Sequence, residues 1–280
     1  MIKTPPRIPN VLTIAGVDPS GGAGVLADLK TFSALGAYGM GVVAALTAQN
    51  TTGVTGVHAV PADFVARQID TLFADVRIDA VKLGMLGTAE ITRAVAARLR
   101  RHGVARLVVD PVMVAKSGHH LLAADAVAAL RDEVLPLAEV LTPNLPEAEV
   151  LLGGGAIRDT ARMRDAARRL RALGPRVVLV KGGHLPGAEC VDVIDDGDGQ
   201  IELRAPRIAT ENTHGTGCTL SAAIAALLPR RAGVREAIRD AKDYLTRALA
   251  AADELSVGRG HGPVQHFWRQ WKADDRRPAG

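Results

Sequence analysis

One unit recurs along this chain and narrows the fold more than any other feature. A short apolar, β-branched run ends in a polar or glycine-rich turn, and helical spacing follows. Val11–Ala15, Gly39–Thr47, Ala80–Leu83, Arg106–Val109, Val140–Thr142 and Arg176–Val180 are the runs. Runs this continuously apolar suit strands covered on both sides. Alternating with helices, they predict an α/β fold: a mostly parallel central sheet, right-handed crossovers and helices on both faces. The carboxyl ends of such strands open onto one crevice, where ligands bind. Gly16–Gly24, Gln49, Met85, Asp110, Asn144, Glu147, Lys181 and Gly215–Cys218 are therefore expected to converge.

Other stretches fill in the frame. The run Gly39–Thr47 closes on Ala48–Gly53, and the β-branched and polar residues that follow read as a small extended flap. Pro61 opens a helix over Ala62–Ala74 with Phe64, Ile69, Leu72 and Phe73 as its inward stripe. Thr88 caps a helix reaching about His102. Cys190–Ile194 and Ile201–Arg204 form a hairpin around the turn glycines Gly197 and Gly199. Phe267, Trp268 and Trp271 tie the tail to the body. No low-complexity linker or fixed-period repeat interrupts the pattern, so residues 1–280 are expected to form a single domain.

Several function classes fall away on composition. The 34 basic and 30 acidic residues are scattered, and aromatics are only 3%. A nucleic-acid surface would concentrate the first and interleave the second. Cys190 and Cys218 stand far apart with no zinc spacing, and a single disulfide would frame little at this length. Met1–Asn10 has three prolines and no apolar stretch, and no run approaches the ~20 residues that span a bilayer. The expectation is a cytoplasmic chain with neither a membrane nor a nucleic-acid partner.

The chemistry gathers first in Asn212–Ser221, where Gly215 and Gly217 lead into a strong helix former, Ala222–Leu228. Glycines let a backbone approach a ligand, and the first N–H groups of a helix have no intrahelical partner. Together they make an anion site. Cys218 falls in the first turn, where the helix dipole is expected to lower its pKa toward neutrality. The same pattern also suits a glycine-rich helix entry with a buried cysteine. Gly16–Gly24 is a second glycine loop between a strand and a helix, but neither a Walker P-loop nor a GxGxxG fingerprint. Asp28, one turn inside that helix, can cap, fill a polar face or point back at a ligand.

At this point the chain resembles a known family. Ala15–Gly24 with Ala27–Phe32, Ala48–Thr51, Gly84–Leu86, Asp110–Met113, Lys116–Gly118, Thr142–Glu147, Val180–His184 and Asn212–Ser221 together resemble the hydroxymethylpyrimidine/phosphomethylpyrimidine kinases. The likeness runs from about Val11 to His266. It implies the ribokinase-like fold and two successive ATP-dependent phosphorylations of a pyrimidine in thiamine biosynthesis. It implies ATP, Mg²⁺ and a monovalent cation as cofactors, and a homodimer. Thr47 and Gln49 are implied at the pyrimidine, with Met85 beside the ring and Gly16 and Asp28 near its hydroxymethyl group. Asn144, Lys181, Thr216 and Gly217 are implied at the nucleotide, with Asp110 and Glu147 at the metal. The Asn144-x-x-Glu147 pair fits a helix cap equally well, and Met85 fits core filling. Lys181 with Gly215, Gly217 and Cys218 is implied to be catalytic: charge, N–H donors and a base where sugar kinases of this superfamily carry Asp. Arg259 stands where the family leads one to expect Lys. Pyridoxal or pyridoxine kinase is the alternative enzyme, since both substrates are flat rings bearing a hydroxymethyl group. A pyrimidine sensor without turnover is the alternative outside catalysis.

Overall fold

The computed structural model describes residues 7–113 and 124–271. The first part of the chain runs β1 (Asn10–Val17), α1 (Gly24–Ala34), β2 (Tyr38–Asn50), β3 (Gly53–Ala59), α2 (Ala62–Asp75), β4 (Ala80–Leu83), α3 (Ala89–Arg101) and β5 (Leu107–Val109). Then come α4 (Ala124–Ala129), β6 (Val140–Leu141), α5 (Leu145–Leu151), α6 (Thr160–Arg171) and β7 (Val177–Val180). The hairpin β8 (Glu189–Asp195) and β9 (Gln200–Pro206) leads to α7 (Thr216–Leu227) and α8 (Val234–Ala250).

The nine strands form one sheet in the order β3-β2-β1-β4-β5-β6-β7-β8-β9. The six central strands are parallel; β3 at one edge and β8 and β9 at the other are antiparallel. The expected flap is thus the far end of a hairpin, β2 turning into β3 at Asn50–Gly53. Strand residues alternate between two cores, because successive side chains leave opposite faces. Leu12, Ile14, Val81, Leu83, Leu107, Val109 and Leu141 meet the helices α2, α3, α5 and α6. Val11, Ala80, Val108, Val140 and Leu179 meet α1, α7 and α8.

The capping expectation holds at Thr88, whose Oγ1 accepts from Ile91 N at 3.2 Å. The α2 stripe differs in one residue. Ala62, Val65, Ala66 and Ile69 are buried, Leu72 and Phe73 lean on the core, and Phe64 faces out under the Arg67 guanidinium. Val65 and Ala66 take the inward place in its stead. At the tail Phe267 stacks on Trp271 and Trp268 packs against the second core. No helix among the described residues is long and apolar enough to cross a membrane.

Candidate active site

At the carboxyl ends of the parallel strands lies a cavity of about 510 Å³. Gly16, Thr47, Gln49, Met85, Asp110, Asn144, Glu147, Lys181, Gly215, Thr216, Gly217 and Cys218 all line it, as the strand-end argument predicts. Lys116, Ser117 and Gly118 lie outside the described residues.

The wall at β2 is polar at its rim. Thr47 Oγ1 donates to Val17 O at 2.9 Å and contacts Gln49 Oε1 at 3.1 Å, so the hydroxyl helps fix the amide. Met85 is buried beneath, and a Cβ at Gly16 would collide with its methyl group. Gly16 is therefore the residue that leaves Met85 its place.

Two helix N-termini open here without a side-chain cap, α1 at Ala23 and α7 at Gly215. Gly215 has φ 75, a region that disfavours any side chain, and a Cβ there would collide with Gly22 O. A Cβ at Gly217 would lie 3.3 Å from both Asp110 Oδ2 and Lys181 Nζ. The α7 start thus presents bare N–H groups beside a lysine, which suits an anion.

A third helix start is closed. Asn144 N donates to Glu147 Oε2 at 2.7 Å and Glu147 N donates to Asn144 Oδ1 at 2.9 Å, the capping-box alternative read from the same residues. Lys181 Nζ donates to Asp110 Oδ1 at 2.9 Å and stands 3.9 Å from Glu147 Oε2. Burial pushes the Glu147 carboxyl up to about 7; Lys181 opposes this and Asp110 adds to it. Among the described residues no cluster of three or more His, Cys, Asp or Glu side chains could cage a metal. Two carboxylates beside an uncapped helix start that suits an anion nevertheless fit Mg²⁺, which keeps several waters and takes one or two carboxylates with substrate oxygens.

Two expectations need correction. Asp28 is fully buried and is not among the residues lining the cavity. Its carboxylate accepts from Lys82 Nζ at 2.8 Å and Thr13 Oγ1 at 2.6 Å. Lys82, itself fully buried, is the member that lines the cavity, and the sequence reading passed over it. The signal was there, since a lysine within the apolar run Ala80–Leu83 is inside only if paired. Burial lowers the Lys82 pKa, but Asp28, Cys218 and Asp110 more than offset it and leave the ammonium firmly charged.

Cys218 is the second correction. It sits in the first turn of α7, yet its thiol is pushed up to about 11, not down. Burial is the main cause. Lys82 opposes it, Asp28 and Asp110 reinforce it, and the Gly24 N–H opposes it again. A helix start contributes only about half a charge, less than the loss of solvent around a thiolate. Arg259 does not line the cavity; its neighbours Gly258 and Gly260 close on Thr51 at the hairpin turn.

Known proteins place this arrangement. The family model described as phosphomethylpyrimidine kinase matches residues 18–265. The chain belongs to that family. It is 53% identical over 262 residues to the hydroxymethylpyrimidine/phosphomethylpyrimidine kinase of Escherichia coli, covering 94% of this chain and 98% of that one. It is 51% identical over 267 residues to the thiamine biosynthesis bifunctional protein of Geobacter sulfurreducens, covering 95% of this chain and 54% of that longer one. Among solved structures it is similar to an ADP complex of Bacillus subtilis pyridoxal kinase, with TM-score 0.86, 36% identity, and coverage of 94% and 99%. The ribokinase-like expectation of fold agrees with that backbone, and the chain is a phosphotransferase.

Proposed function

We propose that this kinase moves the γ-phosphoryl group of ATP to the hydroxymethyl oxygen of 4-amino-5-hydroxymethyl-2-methylpyrimidine, then phosphorylates the product to the diphosphate, in thiamine biosynthesis. The observation that carries the reading is one cavity with two unlike walls. Thr47, Gln49 and Met85 offer an amide and an apolar face to a flat ring, while the open start of α7 and Lys181 receive phosphate. The 53% identity with a pyrimidine kinase, against 36% with a pyridoxal kinase, favours the pyrimidine.

In this reading Gln49 pairs with a ring nitrogen and the exocyclic amine, and Gly16 lies near the hydroxymethyl group. Asp28 acts only through Lys82. Asn144 and Thr216 hold nucleotide oxygens beside the N–H groups of Gly215 and Gly217. Asp110 and Glu147 would hold Mg²⁺, which when bound neutralises phosphate charge. Lys181 stabilises the charge that spreads over the phosphoryl oxygens during transfer, the main requirement of this chemistry. Cys218 is a thiol near neutral pH, so it takes the hydroxymethyl proton only from its minor thiolate form, which Lys82 favours. Lys181 with the α7 N–H groups carries most of the catalysis. A homodimer and a monovalent cation rest on the family resemblance alone; a cytoplasmic location and one kinase domain over residues 1–280 rest on composition and on the uninterrupted strand–helix pattern.

An ADP-release assay across hydroxymethylpyrimidine, its monophosphate, pyridoxal and pyridoxine tests the reading. Turnover of the monophosphate to a diphosphate is the expected result. Turnover of pyridoxal alone would give the pyridoxal reading the site, and binding without ADP release would make the protein a sensor.

A further inference from the structure

The two glycine loops are joined by a pair that no step above uses. Asp18, in the loop after β1, and His214, immediately before Gly215, are both buried although 196 residues separate them. His214 Nε2 lies 2.8 Å from Asp18 Oδ2, so that nitrogen carries the proton and donates to the carboxylate. Asp18 is itself anchored. Its Oδ1 accepts from Ser20 N at 2.9 Å and from Ser20 Oγ at 2.7 Å, and its Oδ2 accepts from Ala23 N at 3.0 Å. Burial pushes the Asp18 carboxyl up, but His214 and Ser20 more than compensate and hold it below the usual carboxylate range. His214 N donates to Gly262 O at 3.0 Å, so the residue is gripped at backbone and ring together. Gly22 and Gly215 complete the join. A Cβ at Gly22 would run into the imidazole ring, and one at Gly215 into Gly22 O.

We propose that the Asp18–His214 pair is a positioning device that sets the anion loop Gly215–Cys218 in register with the loop Gly16–Gly24. It rests on the reading that phosphate lies at the start of α7. His214 touches no reacting atom in this account. It fixes the residue before Gly215, and hence the aim of the N–H groups at the start of α7. Misplacement on the scale of an ångström costs about 10²-fold in rate, and a hydrogen bond to a carboxylate is roughly twice as strong as a neutral one.

The test compares His214→Ala, His214→Gln, Gly22→Ala and the double variant Asp18→Ala/His214→Ala with the wild type, all assayed well below the lowest Tm. Glutamine keeps an N–H for Asp18. Gly22 has no left-handed backbone requirement, so alanine there adds one methyl group that pushes the ring aside while deleting no polar atom. His214→Ala and Gly22→Ala are expected to lower kcat about 10- to 100-fold. Both should weaken Mg²⁺·AMP-PCP binding about tenfold, with KM for the pyrimidine moving less than about threefold. His214→Gln should recover most of both losses, and the double variant should be no slower than His214→Ala. A purely structural role would lower Tm and weaken both ligands together, which overturns the proposal. Wild-type kcat in both His214→Ala and Gly22→Ala also overturns it, as does equal loss in the alanine and glutamine variants. The AMP-PCP measurement needs no acceptor. Should the wild type fail to phosphorylate the pyrimidine while analogue affinity follows the predicted pattern, the substrate assignment falls and the positioning role stands.

Discussion

Cys218 offers the sharpest test of how burial and charge combine at this site. With its thiol held at about 11, roughly one molecule in three thousand carries the thiolate at pH 7.5, against about one in ten for an unperturbed cysteine. Alkylation by iodoacetamide should therefore be roughly 300-fold slower than for an exposed thiol at that pH, before any steric hindrance. The rate should climb about tenfold per pH unit from 7 to 10. Cys190 is the second free cysteine, so the experiment belongs in a Cys190→Ala background, with peptide mass mapping of the adduct. Lys82 is the principal group opposing the upward shift. Replacing it alone would leave Asp28 as a buried, unpaired charge at a cost of about 3–5 kcal/mol. The double change Lys82→Met/Asp28→Asn avoids that and should slow alkylation further at every pH. Cys218→Ser should lower kcat about 10²-fold, the lower end for a general acid–base group, with Tm held. An alkylation midpoint near pH 8 would refute the argument, since it would mean that the helix start outweighs burial. So would a rate indifferent to the Lys82–Asp28 pair.

Gln49→Ala should raise KM for the pyrimidine about tenfold or more, the loss of a partner to a buried polar group, while KM for ATP stays within about twofold; equal weakening of both would make Gln49 a support of the hairpin. Lys181→Ala should lower kcat about 10²- to 10³-fold with a smaller rise in KM for ATP, because its charge matters most during transfer; full turnover with weak ATP binding would contradict that. Glu147, held up at about 7 chiefly by burial, binds a proton in the folded chain at pH values where the unfolded chain has lost it. The stability it contributes is complete below its unfolded value near 4.5 and is lost as pH rises through 7. The ligand-free protein should therefore show Tm falling between about pH 5 and 7 and levelling off above, and Glu147→Gln should flatten that slope; a Tm rising over the same range would reverse the sign.

Much of the architecture was legible because its cause is local. Strands covered on both faces read as unbroken apolar runs, and amphipathic helices between them leave one topology class. From that class alone, Gln49, Met85, Asp110, Lys181 and Gly217 could be placed around one crevice, since strand ends in a parallel sheet share an edge. The flap and the β8–β9 hairpin were likewise readable from turn residues, though only pairing to β2 made the flap a sheet edge.

Tertiary structure decided what depends on sums over distant neighbours. Asp28 was a carboxylate free to point anywhere until Lys82, 54 residues away, took it into the core. Asn144 and Glu147 form the capping box that one of their readings gave, and both border the cavity. Phe64 turned outward under the Arg67 guanidinium, while Val65 and Ala66 took the inward positions. The helix position of Cys218 was visible in the sequence, but its proton affinity was not. That affinity follows from lost solvent and from Lys82, Asp28 and Asp110, carried by three other elements of the fold or their ends. Periodicity determines which side chains go inside. The charge state of those that do is set by neighbours that only folding brings within reach.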